Sequence, residues 1–411
     1  MTSTAPAART HRAGGAIRGH ALVVALAGLA ACTRGDEPPP LHAEGSDAAR
    51  SFGVVELMRQ ITVPDNFILR PDEFAGVGID DARARIYVGS REGTLLALER
   101  DRGEVVWERP MGGPVASRPV LAGEGAEQQL LVGTDNGDLF ALDPADGSER
   151  WRHPTDGRIR NPALQHEGVV FVVNSRDQVF ALDARTGAWR WQVERPLQTD
   201  FTVHGHAGLS FTAGGNDGDG EVGTLWACFD DGSVSAIAAA SGQLLWDVTV
   251  APKEGGNFVD CDTTPLVDRE GELLFVAGQS TGVTALARSD GAERWVFPVR
   301  GVGALQLGPG GILIAVSSLE GVFALDRRGA LLWRTQLDVG SLGEPAVVGD
   351  TVIITHVERG LVALDAGSGD VLDQLLTGSG MSSVPVWDPT TARMYAITNR
   401  GVLLGVRLLE P

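Results

Sequence analysis

Two short stretches of this chain combine residue types and spacing that suit a metal ion. Acidic side chains alternate in the run Asn216-Asp217-Gly218-Asp219-Gly220-Glu221, and such a loop can deliver oxygen ligands to Ca²⁺. The run lacks the distant glutamate of an EF-hand, so an acidic hairpin insertion is the reading we favour and a Ca²⁺ loop is the alternative. His204 and His206 would share one face of a strand, but the sequence offers no third ligand. We therefore predict no metal site at either place.

Cys228 and Cys261 are the second group that could do chemistry. They fall in neighbouring segments of a repeated pattern, one inside an expected strand and one just before the next. A disulfide requires Cα atoms within roughly 7 Å of each other, which sequence spacing does not establish. A disulfide and two separately packed thiols therefore remain alternatives.

Motifs for common catalytic mechanisms are missing from the sequence. It contains no Ser-His-Asp arrangement, no phosphate-binding glycine loop and no His-Glu-x-x-His motif. The formal net charge of −19 opposes binding to the phosphates of nucleic acids and to anionic lipid headgroups. These features favour a protein-binding scaffold over an enzyme, and they predict that any attachment to a membrane does not depend on charge.

The beginning of the chain predicts such an attachment. Basic and polar residues 1–20 precede the apolar run Ala21–Ala31, which is too short to cross a bilayer and is typical of a signal peptide. The run closes as Leu29-Ala30-Ala31-Cys32, which resembles the bacterial lipobox, in which the cysteine accepts the lipid. An ordinary secretory signal peptide with a chance cysteine is the alternative.

Three regions follow from this interpretation. We expect a signal peptide over residues 1–31, an acylated Cys32 with a flexible tether over 32–52, and a folded domain over 53–411. Thr33 follows the cysteine, where an aspartate commonly retains Gram-negative lipoproteins in the inner membrane. The expected location is therefore the outer membrane, with the domain facing the periplasm.

A repeated unit organises the folded domain. The clearest copy, residues 130–151, reads LLVGTDNGDLFALDPADGSERW, with two apolar runs, two glycine turns and a tryptophan. Eight copies occur at a spacing of about 40 residues, with two insertions that we expect in loops. The central apolar residues of the copies are Leu98, Leu142, Leu182, Ile237, Leu286, Leu325, Leu364 and Leu404. The pattern predicts an all-β, eight-bladed β-propeller of four-stranded antiparallel blades.

A Gly-x-x-x-Trp spacing recurs in six of the copies. The glycine supplies the positive φ of a tight hairpin, and the indole is placed to lie across the junction with a neighbouring blade. We therefore assign these tryptophans to packing and not to ligand binding. The six pairs are Gly103/Trp107, Gly147/Trp151, Gly187/Trp191, Gly242/Trp246, Gly291/Trp295 and Gly329/Trp333.

The last copy lacks its outer strand. The seventh copy has Asp373 where a tryptophan is expected, and the eighth ends too early, at Pro411. Residues 53–63 alternate like a strand and precede the first full copy. We predict that this N-terminal strand completes the last blade and closes the ring, which removes free sheet edges.

The phrase Ala-Leu-Asp-x-x-x-Gly-x-x-x-Trp resembles the pyrroloquinoline-quinone (PQQ) type repeat over residues 53–408. Two families share that repeat: quinone-dependent dehydrogenases, and the BamB lipoproteins of outer-membrane β-barrel assembly. This sequence is more similar to BamB in its lipobox, its length, its eight repeats and the segment 232–286. Within that segment, Asp260-Cys261-Asp262-Thr263-Thr264-Pro265 is similar to the Asp-x-Asp-Thr-Thr-Pro stretch of the family.

The BamB resemblance implies a protein partner that belongs to the outer-membrane β-barrel assembly machinery. It implies that the rim that contacts the partner includes Asp260, Asp262 and Thr263. An equal alternative is that the two acids cap the local turn through hydrogen bonds. A second contact of the family, a Leu/Arg-rich loop, is expected at Pro196–Asp200 with Leu197 as the matching residue. The arginine of that loop is absent from this stretch.

The quinone-dependent dehydrogenases are the alternative within the same repeat class, together with a sensor propeller for a small ligand or a peptide. The dehydrogenases hold Ca²⁺ and the quinone and commonly carry a vicinal cysteine pair, which is missing here. Repeats about 40 residues apart also leave no room for their large extra loops. We therefore predict no cofactor.

Overall fold

The computed structural model describes residues 52–62, 75–195, 207–214, 223–251, 259–268, 270–337 and 340–408. These residues form an all-β structure with two short 3₁₀ turns, Gly125–Glu127 and Pro309–Gly311. Helices of sufficient length and apolar character to cross a membrane do not occur in this part of the chain. The two stretches considered and rejected as metal sites, residues 204–206 and 216–221, lie outside the described residues, and so do Cys32 and Leu197.

Thirty-two strands in the described ranges form eight antiparallel sheets, which are the blades of a propeller. In each blade the strands are hydrogen-bonded in the order inner, second, third and outer. The first four blades are blade 1, β2 (Gly78–Asp80), β3 (Arg85–Gly89), β4 (Thr94–Glu99), β5 (Val105–Pro110); blade 2, β6 (Val120–Ala122), β7 (Gln129–Gly133), β8 (Asp138–Leu142), β9 (Glu149–Pro154); blade 3, β10 (Leu164–His166), β11 (Val169–Val173), β12 (Gln178–Asp183), β13 (Trp189–Glu194); and blade 4, β14 (Leu209–Thr212), β15 (Thr224–Cys228), β16 (Ser233–Ala238), β17 (Leu244–Thr249).

The remaining blades have the same order, except that the last one takes its outer strand from the beginning of the domain. They are blade 5, β18 (Leu266–Val267), β19 (Leu273–Gly278), β20 (Gly282–Ala287), β21 (Glu293–Phe297); blade 6, β22 (Val302–Leu307), β23 (Leu313–Ser317), β24 (Gly321–Leu325), β25 (Leu331–Thr335); blade 7, β26 (Ala346–Val348), β27 (Thr351–His356), β28 (Gly360–Asp365), β29 (Val371–Leu376); and blade 8, β30 (Val386–Asp388), β31 (Arg393–Ile397), β32 (Val402–Leu408), β1 (Phe52–Gln60).

The predicted repeat count is confirmed. All eight central apolar residues lie in the third strands and are buried. In blades 1 to 7 the Ala-Leu phrase, which is Ala-Ile in blade 4, coincides with a register shift between the third and outer strands that is typical of a β-bulge. The hydrophobic core is divided among the blade junctions. Trp151 of blade 2, for example, packs with Val172 and Leu182 of blade 3.

Each of the six spaced tryptophans bridges two blades, as predicted. The indole N–H donates to a carbonyl in the hairpin between the third and outer strands of the next blade. The donor–acceptor distances are 3.3 Å for Trp107 to Pro144, 2.9 Å for Trp151 to Ala184, 3.1 Å for Trp191 to Ala239, 2.9 Å for Trp246 to Arg288, 3.0 Å for Trp295 to Arg327 and 2.9 Å for Trp333 to Ala366.

The hairpin glycines have a second role that the sequence did not reveal. Gly187 adopts a φ of 69°, and a Cβ atom there would overlap the indole of Trp151 from the preceding blade. The same relation holds at the other five hairpins that receive a tryptophan. Each glycine therefore serves both its own turn and the packing of the previous blade.

The seam of the ring confirms the predicted closure by an N-terminal strand. β1 pairs antiparallel with β32, so the outer strand of blade 8 comes from the other end of the domain. Asp373 accepts a hydrogen bond from the Phe52 backbone N–H at 3.0 Å. Met58 of β1 lies against Gly103 of blade 1, in the place that a tryptophan takes at the regular junctions. The junctions of blade 8 with blades 7 and 1 are thus built from other side chains than the six tryptophan junctions.

Strand direction defines two faces of the propeller. Because the strands of a blade alternate in direction, the turn between the second and third strands lies at the same end as the connection from the outer strand to the next inner strand. We call the face formed by these turns and connections the DA face. Two connections have described residues at the DA face: Arg195, directly after β13, and residues 259–265, directly before β18.

Candidate functional site

The segment Asp260–Thr263 lies at the DA face, between blade 4 and blade 5. It precedes β18 and follows a connection whose middle, residues 252–258, is outside the described ranges. A Cβ atom on Gly232 of blade 4 would overlap the Val259 carbonyl oxygen, and one on Gly278 of blade 5 would overlap that of Asp260. The backbone therefore passes closely between the two blades, and both glycines are required by this approach.

Backbone and side-chain hydrogen bonds fasten the segment to both blades. The Cys261 N–H donates to the Phe229 carbonyl of blade 4 at 3.2 Å, and the Asp262 N–H donates to the Ala277 carbonyl of blade 5 at 3.0 Å. The Thr263 hydroxyl donates to the same Ala277 carbonyl at 3.2 Å and accepts from the Ala277 N–H at 2.8 Å. The segment thus links two blades.

Thr263 repeats a structural feature found elsewhere in the ring. Ser117 makes the same pair of hydrogen bonds with Gly133 in blade 2, and Ser383 makes them with Ile397 in blade 8. Thr263 itself is almost fully buried. Its hydroxyl therefore has a structural role that belongs to the repeat.

A disulfide between Cys228 and Cys261 adds a covalent link, with a Cα–Cα distance of 5.3 Å. This settles the alternative that the sequence left open. Cys228 is the last residue of β15, so the bond joins blade 4 to the connection that enters blade 5. Both residues are buried in the hydrophobic cluster that contains Trp226 and Leu274.

The two carboxyl groups on either side of Cys261 are enclosed by protein. Asp260 is 1% exposed and Asp262 is 7% exposed. Burial, followed by the charge of Asp260 and a hydrogen bond with it, raises the pKa of Asp262 to about 8. The charge of Asp230 acts in the same direction, and a hydrogen bond with Gln279 opposes it. At neutral pH Asp262 is therefore mostly protonated, and the pair carries less than its full double charge.

The turn that contains Phe229 also receives the other predicted connection. Arg195, two residues before Leu197, lies over the Phe229 ring with its guanidinium carbon 4.8 Å from the ring centroid. Its guanidinium donates to the Ser235 hydroxyl at 2.7 Å and pairs with Asp247. The described start of the connection from blade 3 to blade 4 and the described end of the connection from blade 4 to blade 5 therefore meet at the turn that contains Phe229.

Sequence reasoning anticipated only part of this arrangement. It selected Asp260, Asp262 and Thr263, which the structure brings together, and Leu197, which lies outside the described residues. It did not select Asp230 or Arg195. The available signals were the acidic pair Asp230-Asp231 before Gly232 and the position of Arg195 directly before the predicted contact stretch. In the described ranges, no three side chains of His, Cys, Asp or Glu are grouped to hold a metal ion.

Fold and site together define a PQQ-repeat β-propeller with an irregular segment, Asp260–Thr263, held between two blades. The described blade junctions are occupied by packing residues.

The chain belongs to the family described as outer membrane protein assembly factor BamB, whose model matches residues 69–126, 124–328 and 281–409. The BamB protein of Vibrio cholerae is 29% identical over 321 residues, which cover 76% of this chain and 80% of that protein. The BamB protein of Shewanella oneidensis is 24% identical over 316 residues, or 75% of this chain and 66% of that protein, so slightly less than two thirds of its length is matched.

A solved structure shows the same fold. The crystal structure of BamB from Moraxella catarrhalis superposes with a TM-score of 0.67 at 21% identity and covers 85% of this chain and 99% of its own. The similarity extends around the whole ring of that protein.

Proposed function

We propose that this protein is a lipid-anchored scaffold that faces the periplasm at the outer membrane and binds a partner protein in the assembly of outer-membrane β-barrels. Family membership supports the process, since the relatives are named outer membrane protein assembly factors. The fastened segment Asp260–Thr263 on the DA face is the observation that supports the site. Leu197, in the neighbouring connection, is proposed as the apolar contact of the same surface.

The burial of Asp260 and Asp262 determines how they would act. The enclosed pair attracts a basic partner surface only through the part of its double charge that remains at neutral pH, and it lies on the backbone segment that is held between blades 4 and 5. Asp230 and Asp231 are only half buried on the adjoining turn, where a partner can reach them. Together with the net charge of −19, these acids favour a partner with a basic surface.

The test is a binding measurement with the purified periplasmic domains of the barrel-forming subunit of the same machinery. The double variant Asp260→Asn/Asp262→Asn keeps the side-chain shapes and removes the charge that the pair carries. Leu197→Glu places a charge in the connection that joins blade 3 to blade 4. The control Glu104→Gln/Glu293→Gln removes two exposed charges from the opposite face.

We expect the variants at the DA face to bind at least about tenfold more weakly, or roughly 1.4 kcal/mol, while the control binds like the natural protein. Failure of the natural protein to bind, or an equal loss in the control, would contradict the proposed partner site.

Membrane attachment is a separate part of the proposal and rests on Cys32. The variant Cys32→Ala should appear in the soluble periplasmic fraction, because acyl chains supply the attachment in a protein whose negative charge does not. Thr33→Asp should stay lipidated and move to the inner-membrane fraction. Recovery of Cys32→Ala with the outer membrane in the absence of a partner would contradict the anchor.

We also propose that the protein is not an enzyme and binds no quinone. The absence of a vicinal cysteine pair and the short repeat spacing in the sequence support this. Incubation with the quinone and Ca²⁺ followed by a dye-linked dehydrogenase assay should give no turnover. Reproducible turnover that depends on both additions would favour the dehydrogenase alternative.

A further inference from the structure

The contact between Cys228 and Cys261 occupies a position that recurs around the ring. In the connection from blade 1 to blade 2, the Val115 N–H donates to the Ser90 carbonyl at 3.0 Å, directly after Gly89 at the end of β3. In the connection from blade 2 to blade 3, the Ile159 N–H donates to the Thr134 carbonyl at 3.0 Å, directly after Gly133. The Cys261 N–H makes the equivalent bond to Phe229, directly after Cys228.

The side chains at this position differ between the connections. A Cβ atom on Gly89 would overlap Cγ1 of Val115, and one on Gly133 would overlap Cγ2 of Ile159. A glycine on the strand thus makes room for a branched apolar side chain that anchors the connection. At blades 4 and 5 both partners are cysteines, so a covalent bond replaces the glycine and its apolar anchor.

The connection at blades 4 and 5 needs a stronger anchor for two physical reasons. It has sixteen residues, 250–265, whereas the connections at the two regular positions have nine each, 111–119 and 155–163, and a longer free segment loses more entropy when it is held. The residues beside the anchor are also two buried carboxyls, which are costly to keep away from water. A disulfide restricts both the unfolded chain and any locally open state.

We propose that the Cys228–Cys261 disulfide is a positioning element of the partner-binding surface, which holds Asp260–Thr263 in place between blades 4 and 5. The inference rests on the proposed function and adds the covalent requirement to it. The cysteines themselves are buried and do not touch the partner. They act through the backbone of the segment.

Three proteins test the inference: the natural chain and two double variants. Cys228→Gly/Cys261→Val installs the pair found at Gly89 and Val115. Cys228→Ala/Cys261→Ala removes the disulfide and leaves no branched side chain as an anchor. The first measurement is hydrogen exchange of the amides at positions 261–263. The amides of Val115 and Ile159, which make the same bond in the regular connections, are internal controls.

Exchange at 261–263 should rise at least about tenfold in the Gly/Val variant and further in the Ala/Ala variant, with Val115 and Ile159 unchanged. Affinity for the barrel subunit's periplasmic domains should weaken in the same order, by about tenfold for the Gly/Val variant. A bond that contributed only to global stability would lower the denaturation midpoint and leave both readouts of the folded protein unchanged.

Equal hydrogen-exchange rates at residues 261–263 in all three proteins would overturn the inference. Loss of cooperative folding in the Gly/Val variant would also overturn it, because the disulfide would then stabilise the whole fold. If the natural protein shows no binding, the proposed function fails, while the exchange order still reports whether the disulfide positions the segment.

Discussion

The connection between blades 2 and 3 and the connection between blades 4 and 5 make the same backbone hydrogen bond and differ in what surrounds it. At the first, Ile159 packs over Gly133 in the same hydrophobic cluster as Trp151. At the second, a disulfide replaces the glycine and its apolar anchor, and two enclosed carboxyls flank Cys261. The comparison indicates that side chains shared by the repeats stabilise the ring. The departures from the repeat at this connection form the surface that we propose for partner binding.

Removal of β1 is the most severe test of the first half of the comparison. Deletion of residues 52–60 leaves blade 8 with three strands and takes Met58 away from Gly103. We expect the cooperative unfolding transition to disappear, because the last blade would expose a free edge and part of its core. Melting at the midpoint of the intact domain, measured by circular dichroism, would contradict ring closure.

Two tryptophans on the same strand give a matched test of the regular junctions. Trp191 is 8% exposed and donates to Ala239 of the next blade, whereas Trp189 is 59% exposed. Trp191→Ala should lower the free energy of unfolding by about 3–5 kcal/mol, and Trp189→Ala by less than about 1 kcal/mol. Urea denaturation measures both values. Similar losses in the two variants would show that the junction indoles are not specific packing elements.

The acidic pair predicts a pH dependence that the regular connections lack. The pKa of Asp262 in the folded protein, about 8, lies above its value in the unfolded chain, so the native state binds the proton more tightly. This stabilisation is fully present below about pH 4 and is lost as the pH rises toward 8. Asp262→Asn removes the titrating group and should therefore gain stability relative to the natural protein, on the order of 4 kcal/mol between about pH 5 and pH 8.

Urea denaturation at several pH values measures this difference. Glu104→Gln, at an exposed position on the opposite face, is the control and should follow the natural protein over the whole range. A constant difference between Asp262→Asn and the natural protein would mean that Asp262 is already ionised at neutral pH.

The architecture could be predicted from the sequence because it depends on repeated local patterns. The eight apolar centres and the Gly-x-x-x-Trp spacing determine strand positions, and the missing outer strand after Leu404 pointed to residues 53–63. Contacts between blades were harder to anticipate. That Gly187 receives the indole of Trp151, or that Met58 takes the place of a tryptophan at the seam, depends on which surfaces meet after the ring closes.

The site was only partly accessible for the same reason. The sequence selected Asp260 and Asp262 through the family resemblance, but their burial depends on the close approach of Gly232 and Gly278 from two blades. The disulfide required a Cα–Cα distance, and the convergence of Arg195 and Cys261 on Phe229 required the folded turn.

A hydrogen-exchange footprint of the complex tests the central claim most directly. The natural protein is measured alone and with the periplasmic domains of the barrel-forming subunit. We predict that protection on binding concentrates on the DA face at residues 229–232 and 259–264 and in the connection after Arg195, while the opposite hairpins at 100–104 and 143–148 exchange as before. Protection confined to those opposite hairpins would contradict the account.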